Sequence, residues 1–99
     1  MSRIRVQLIL HNALTFRRSG ATGILICNPS HTVARLFYEI RVQLDSIPAE
    51  HAIYIMIADN LISMNKTIGE VYMEHAMRGT LNIHVYSENS FGCIDIACL

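Results

Sequence analysis

Apolar residues recur along this chain with two different periods, and the places where the period changes mark its elements. Ile4, Val6, Leu8 and Leu10 alternate with Arg3, Arg5, Gln7 and Ile9, the period of two that marks a half-buried strand. Asn12 to Gly20 is polar, with Arg17-Arg18-Ser19-Gly20 as a turn, so a hairpin is predicted. Its returning strand is the short apolar run Gly23-Ile24-Leu25-Ile26-Cys27, stopped at Asn28-Pro29 because proline cannot donate to a sheet ladder.

The period then switches. Val33, Leu36, Phe37, Ile40 and Leu44 form one apolar stripe at helical spacing, while Arg35, Glu39 and Gln43 fall on other faces. Ser30 or Thr32 is placed to cap this helix, since a side-chain oxygen there accepts a free N–H of the first turn. The helix is expected to end near Asp45-Ser46, ahead of Pro48. Ala52 to Ala58 is apolar on both faces and reads as a central strand. Asp59-Asn60 reads as its turn and Leu61-Ile62 as a short edge strand. Thr67-Ile68-Gly69-Glu70 is a capping box. It opens a short helix whose inner face is Ile68, Val71, Tyr72 and His75, and which ends at Arg78-Gly79. A final strand follows from Thr80, with Leu81, Ile83 and Val85 alternating against Asn82, His84 and Tyr86. It turns polar at Ser87-Glu88-Asn89-Ser90 and leads to Phe91-Gly92.

A hairpin, a crossover helix packed on one face and further strands in a mixed sheet make an α+β, β-grasp (ubiquitin-like) arrangement. Its first and last strands are expected to pair in parallel at the centre. The chain reads as one domain over 1–92 with a tail over 93–99. Glycine has no Cβ, so its carbonyl is open and its backbone fits narrow active-site channels; Gly92 thus suits a tail that enzymes must reach.

Composition narrows the classes. The chain is 52% hydrophobic and 16% charged, a balance that argues for a folded core and against intrinsic disorder. No apolar run approaches the ~20 residues of a membrane span. Cys27, Cys93 and Cys98 are odd in number and show no paired framework, which favours a reduced, cytosolic setting. The net charge of zero hides a split, with +5 over residues 1–43 and −5 over residues 44–99. Such a split can form a basic face for acidic peptides or anionic membranes. It does not suit nucleic acid, because the arginines do not cluster and no aromatic run accompanies them.

No enzymatic site emerges. His11, His31, His51, His75 and His84 lack zinc-site spacing, so neither metal nor other cofactor is expected. Gly20-Ala21-Thr22-Gly23 lacks the lysine of a phosphate loop. Glu70 and Glu74 fit a solvated helix face better than an acid–base pair. Cys27 reads as a small core residue.

Three stretches in order carry a family resemblance: Pro48-Ala49-Glu50-His51-Ala52-Ile53, Val71-Tyr72-Met73-Glu74-His75, and Tyr86-Ser87 leading to Phe91-Gly92. Val33 to Arg41 adds a likeness to the long helix. Over residues 3–92 the chain resembles the autophagy-related protein 8 (GABARAP-type) ubiquitin-like modifiers. The resemblance implies a protein tag and not an enzyme. A cysteine protease would cut after Gly92, beside Phe91, and release Cys93 to Leu99. Activating and conjugating enzymes would carry the glycine as thioesters before its amide linkage to phosphatidylethanolamine. Localisation would be cytoplasmic, and on the autophagosomal membrane once lipidated.

The resemblance also implies binding of cargo-receptor peptides that add a strand beside Ile24-Leu25-Ile26. Arg5, Ile24 and Ile26 would then approach an aromatic pocket, and Leu25, Cys27 and Leu36 an aliphatic one, with Arg41 left from the long helix's basic cluster. The chain departs from the family at Thr22-Gly23-Ile24, where lysines are usual, at Val42-Gln43, and at Thr80, where phenylalanine is usual. It also begins almost at its first strand, so the family's N-terminal pair of helices is not expected. That bare core is similar to autophagy-related protein 12, which is joined to a protein lysine. An unconjugated β-grasp adaptor is the third reading.

Overall fold

The structure, a computed structural model, describes residues 2–12, 14–45 and 51–89. Its elements are β1 (Ile4–Leu10), β2 (Ile24–Cys27), α1 (Val33–Gln43), β3 (His51–Ile57), β4 (Asn60–Leu61), α2 (Ile68–His75) and β5 (Thr80–Asn89). The strands form a mixed sheet in the order β2-β1-β5-β3-β4. β1 and β5 pair in parallel, Val6 against Leu81 and Leu8 against Ile83. The other pairings are antiparallel. This is the predicted β-grasp order, with the first and last strands at the centre.

One face of the sheet makes the core. Ile4, Val6 and Leu8 of β1, Ile53, Ile55 and Ile57 of β3, and Leu81, Ile83 and Val85 of β5 are buried there against Val33, Leu36, Ile40 and Leu44. Ile68 and Val71 of α2 complete it. The expected strands and stripes are these, with Phe37 and Tyr72 only partly buried. No polar side chain is buried among the described residues.

The helix N-termini are tied to one another. Thr32, not Ser30, caps α1, its hydroxyl accepting the Arg35 N–H at 3.2 Å. Ser30 instead donates to Asn28 Oδ1 from its N–H and hydroxyl at 2.9 and 2.8 Å. Thr67 and Glu70 form the predicted capping box. The Val33 N–H donates to the Lys66 carbonyl, and the Ile68 N–H to the His31 carbonyl, each at 2.8 Å. Donors left over by each helix start are thus satisfied by the loop leading into the other.

Several expectations need adjustment. β5 does not stop where the sequence turns polar. It runs on through Ser87, Glu88 and Asn89, because β3 offers them partners at Ile53, Ala52 and His51. β3 is not apolar-buried on both faces: Ala52 is exposed, and Tyr54 and Met56 are half-exposed, since neither helix covers the second face. The β3–β4 turn is centred on Ala58-Asp59, both at positive φ (51° and 66°), which shifts β4 to Asn60–Leu61. The polar β1–β2 connection is strapped to the end of α1. The Arg17 N–H donates to the Gln43 carbonyl at 2.8 Å, and the Asp45 N–H to the Thr15 carbonyl at 2.9 Å. Leu14 and Phe16 pack against the core from this loop.

Candidate peptide-binding edge and groove

β2 is one of the two edge strands of the sheet, β4 being the other. It pairs with β1 on one side only, Ile4 opposite Cys27, Arg5 opposite Ile26, Val6 opposite Leu25 and Gln7 opposite Ile24. Its other side offers main-chain groups to which an extended peptide can add a strand. The pleat sorts the side chains around it. Leu25 and Cys27 share the face of Ile4 and Val6, while Ile24, Ile26 and Arg5 stand on the opposite face.

A groove of about 190 Å³ lies between β2 and α1. Leu25, Cys27, Leu36 and Ile68 give it an apolar lining, and Ile26 contributes to the wall. Arg3, His31 and Arg35 bring cationic or titratable groups to it, with Glu39 as the opposing carboxylate. Burial pushes the Cys27 thiol pKa above its ordinary range, and the Glu39 carboxylate pushes it further the same way. Cys27 is therefore a neutral, weakly polar wall near neutral pH.

Of the predicted peptide-binding residues, Leu25, Cys27 and Leu36 come together here, with Ile26 at the wall. Leu36 is 2% exposed, so it serves the core and the groove at once. Ile24 lines a second hollow of about 320 Å³, which the β1–β2 loop shares with Leu8, Phe16 and Gln43. Ile26 is 61% exposed on the strand edge, beside an exposed Arg5. Arg41 lies exposed in the last turn of α1 and lines neither hollow. Arg3, His31, Arg35 and Ile68 were not foreseen. Arg35 and Glu39 carry a partial sequence signal, because their spacing of one helical turn puts them on one flank of the stripe. Phe91 and Gly92, the predicted processing and conjugation residues, lie outside the described residues, as do Cys93 and Cys98.

No protein-family model matches the sequence, and no curated protein sequence matches it. Solved structures do. Trypanosoma brucei ATG8 is similar with a TM-score of 0.73 at 15% identity, over 92% of this chain and 78% of that one. Plasmodium falciparum Atg8, solved in complex with a Plasmodium falciparum Atg3 peptide, is similar with a TM-score of 0.67 at 12% identity, over 88% and 80%. The fold is the Atg8-type ubiquitin-like fold. Within it, β1 and β5 lie at the centre of the sheet, and β2 forms the edge beside the α1 groove. Among the described residues no group of three or more His, Cys, Asp or Glu is placed to hold a metal ion. No described helix is long and apolar enough to cross a membrane.

Proposed function

We propose that this chain is a ubiquitin-like modifier of the autophagy pathway. It is cut after Gly92 by a cysteine protease, carried by activating and conjugating enzymes, and joined through the glycine carboxylate to phosphatidylethanolamine. It acts in the cytoplasm and, once lipidated, on the autophagosomal membrane, where it receives cargo-receptor peptides. The observation that carries this reading is the Atg8-type fold with its free β2 edge beside an apolar groove. Phe91-Gly92 follows the end of β5 at Asn89 within three positions, which suits a strand that delivers its tail to enzymes.

A peptide adding to β2 gains main-chain hydrogen bonds from the edge and places an aliphatic side chain between Leu25, Cys27 and Leu36. Arg3 and Arg35 beside that anchor favour an acidic neighbour in the peptide through charge-assisted contacts. The Atg3 peptide seen with the Plasmodium protein supports a conjugating-enzyme segment as one such ligand.

The test is the intact mass of the protein recovered from its own cells, before and after treatment with a deconjugating lipase. Loss of Cys93 to Leu99 with a lipase-sensitive gain equal to phosphatidylethanolamine is the expected result. A much heavier, lipase-resistant conjugate would instead identify a modifier joined to a protein lysine. An unchanged 99-residue mass under starvation would reduce the chain to an unconjugated adaptor.

A further inference from the structure

The two faces of β2 together fix what a strand added to its edge must carry. Ile24 and Ile26 stand on the helix-free face with Arg5, while Leu25 and Cys27 face the groove. An added strand alternates faces in the same way, so it needs one apolar side chain for each face, an odd number of positions apart. The groove lies towards the Cys27 end of β2, where Arg3 and Asn28 also line it. Among the described residues no carboxylate is ion-paired with Arg3 or Arg5. An acidic residue next to the groove anchor therefore completes the match.

The chain's own tail carries this pattern: Phe91 and Ile94 are three positions apart, and Asp95 follows. We infer that, before cutting, the tail of one copy adds as a strand to β2 of a second copy. Phe91 then lies beside Ile24 and Ile26, Ile94 enters the groove, and Asp95 comes to Arg3. The added strand runs parallel to β2; reversed, Phe91 would fall past Asn28-Pro29, where β2 has ended. The tail cannot reach its own edge. Ile24 and Asn82 both stand opposite Gln7, and β5 runs seven positions further to Asn89, about 23 Å away. Phe91, two positions beyond Asn89, has a reach of only about 7 Å. This docking rests on the edge-and-groove reading of the site and adds a regulatory consequence. The Gly92–Cys93 bond lies inside the docked stretch, so a docked tail is withheld from the protease. Once the tail is released, hydrolysis adds water across that amide, frees the Gly92 carboxylate and carries Ile94 and Asp95 away, which leaves the edge open to other peptides.

The experiment is sedimentation velocity of the full chain at rising concentration, up to about 1 mM, with reductant present so that no disulfide joins the copies. The wild type is expected to self-associate. Ile94→Ser is expected to weaken association roughly tenfold or more, as loss of a central anchor does, and Asp95→Asn about two- to fivefold. Arg3→Glu is expected to weaken it too, and Asp95→Lys in the same chain to restore it. Melting curves establish that each variant is folded. A synthetic peptide of Ser90 to Leu99, added to the isotope-labelled Ile94→Ser chain, is expected to shift the NMR amide signals of Ile24 to Cys27 and of Leu36. A wild type that stays monomeric throughout, association indifferent to Ile94→Ser, or peptide shifts centred on His84 and Tyr86 instead would overturn the inference. None of these outcomes depends on conjugation, so the modifier proposal stands or falls separately on the intact mass.

Discussion

Ala58 holds the left-handed backbone region at φ 51°, next to Asp59 at φ 66°. Two consecutive positive φ values make the turn that matches the twist of a two-residue hairpin, but alanine is strained there by its Cβ. Ala58→Asn is expected to stabilise the protein by about 0.5–1 kcal/mol, because asparagine tolerates this region. Urea denaturation measures it, and a destabilised variant would mean that the turn is not built this way. Gly23 is the opposite case. At φ +77° an added Cβ would stand 2.8 Å from Phe16 Cζ and 3.0 Å from the Leu8 carbonyl oxygen. The residue is thus fixed by close packing as well as by backbone conformation. At Cys27, burial and then the Glu39 carboxylate keep the thiol protonated. With Cys93 and Cys98 replaced by serine, Cys27 is expected to alkylate more slowly near neutral pH than an unperturbed thiol. Glu39→Gln is expected to speed the reaction, and an unchanged rate would remove the carboxylate from the account.

The two helices show how far local signals reach. The capping box of α2 was readable from Thr67 and Glu70 alone, because both partners lie within one turn. Hydrogen bonds from Thr67 hold the Glu70 carboxyl pKa below its usual range. A depressed folded pKa means stability present above the unfolded value and lost as pH falls through the folded one. The stability difference between wild type and Glu70→Gln is therefore expected to shrink on acidification through the carboxylate range, and a difference that grows would reverse the assignment. The apolar stripe of α1 was equally legible. Ile40, 0% exposed, is expected to cost about 2–5 kcal/mol when cut to alanine. What the sequence did not disclose depends on neighbours brought from afar. The polar end of β5 is a strand only because His51 to Ile53 lie beside it. The groove's Arg3, His31 and Arg35 come from a strand's approach, a helix's approach and the helix itself. The split of Ile24 and Ile26 from Leu25 and Cys27 was readable, since a strand alternates faces whatever its partners.

At the scale of the molecule, β5 joins two roles that lie at opposite ends of one strand. Its first half, Leu81, Ile83 and Val85, is buried and paired to β1, with Val85 also paired to Ile55 of β3, so it bears directly on the stability of the sheet. Its far end leads to Phe91-Gly92, where the proposed chemistry occurs. These roles separate under substitution. Ile83, 0% exposed at the centre of the sheet, is expected to lose about 2–5 kcal/mol on truncation to alanine. Conjugate in cells should then fall only in step with the amount of folded protein. Gly92→Ala, beyond the last described strand, is expected to stay within about 0.5 kcal/mol of the wild-type stability and yet abolish the conjugate. Both are read from the same cells, as the ratio of conjugated to total protein beside a melting curve of the purified chain. A normal ratio in Gly92→Ala would sink the modifier reading while leaving the fold untouched. A Gly92→Ala variant that unfolds would show instead that the tail belongs to the sheet's stability, and the division of labour along β5 would fail.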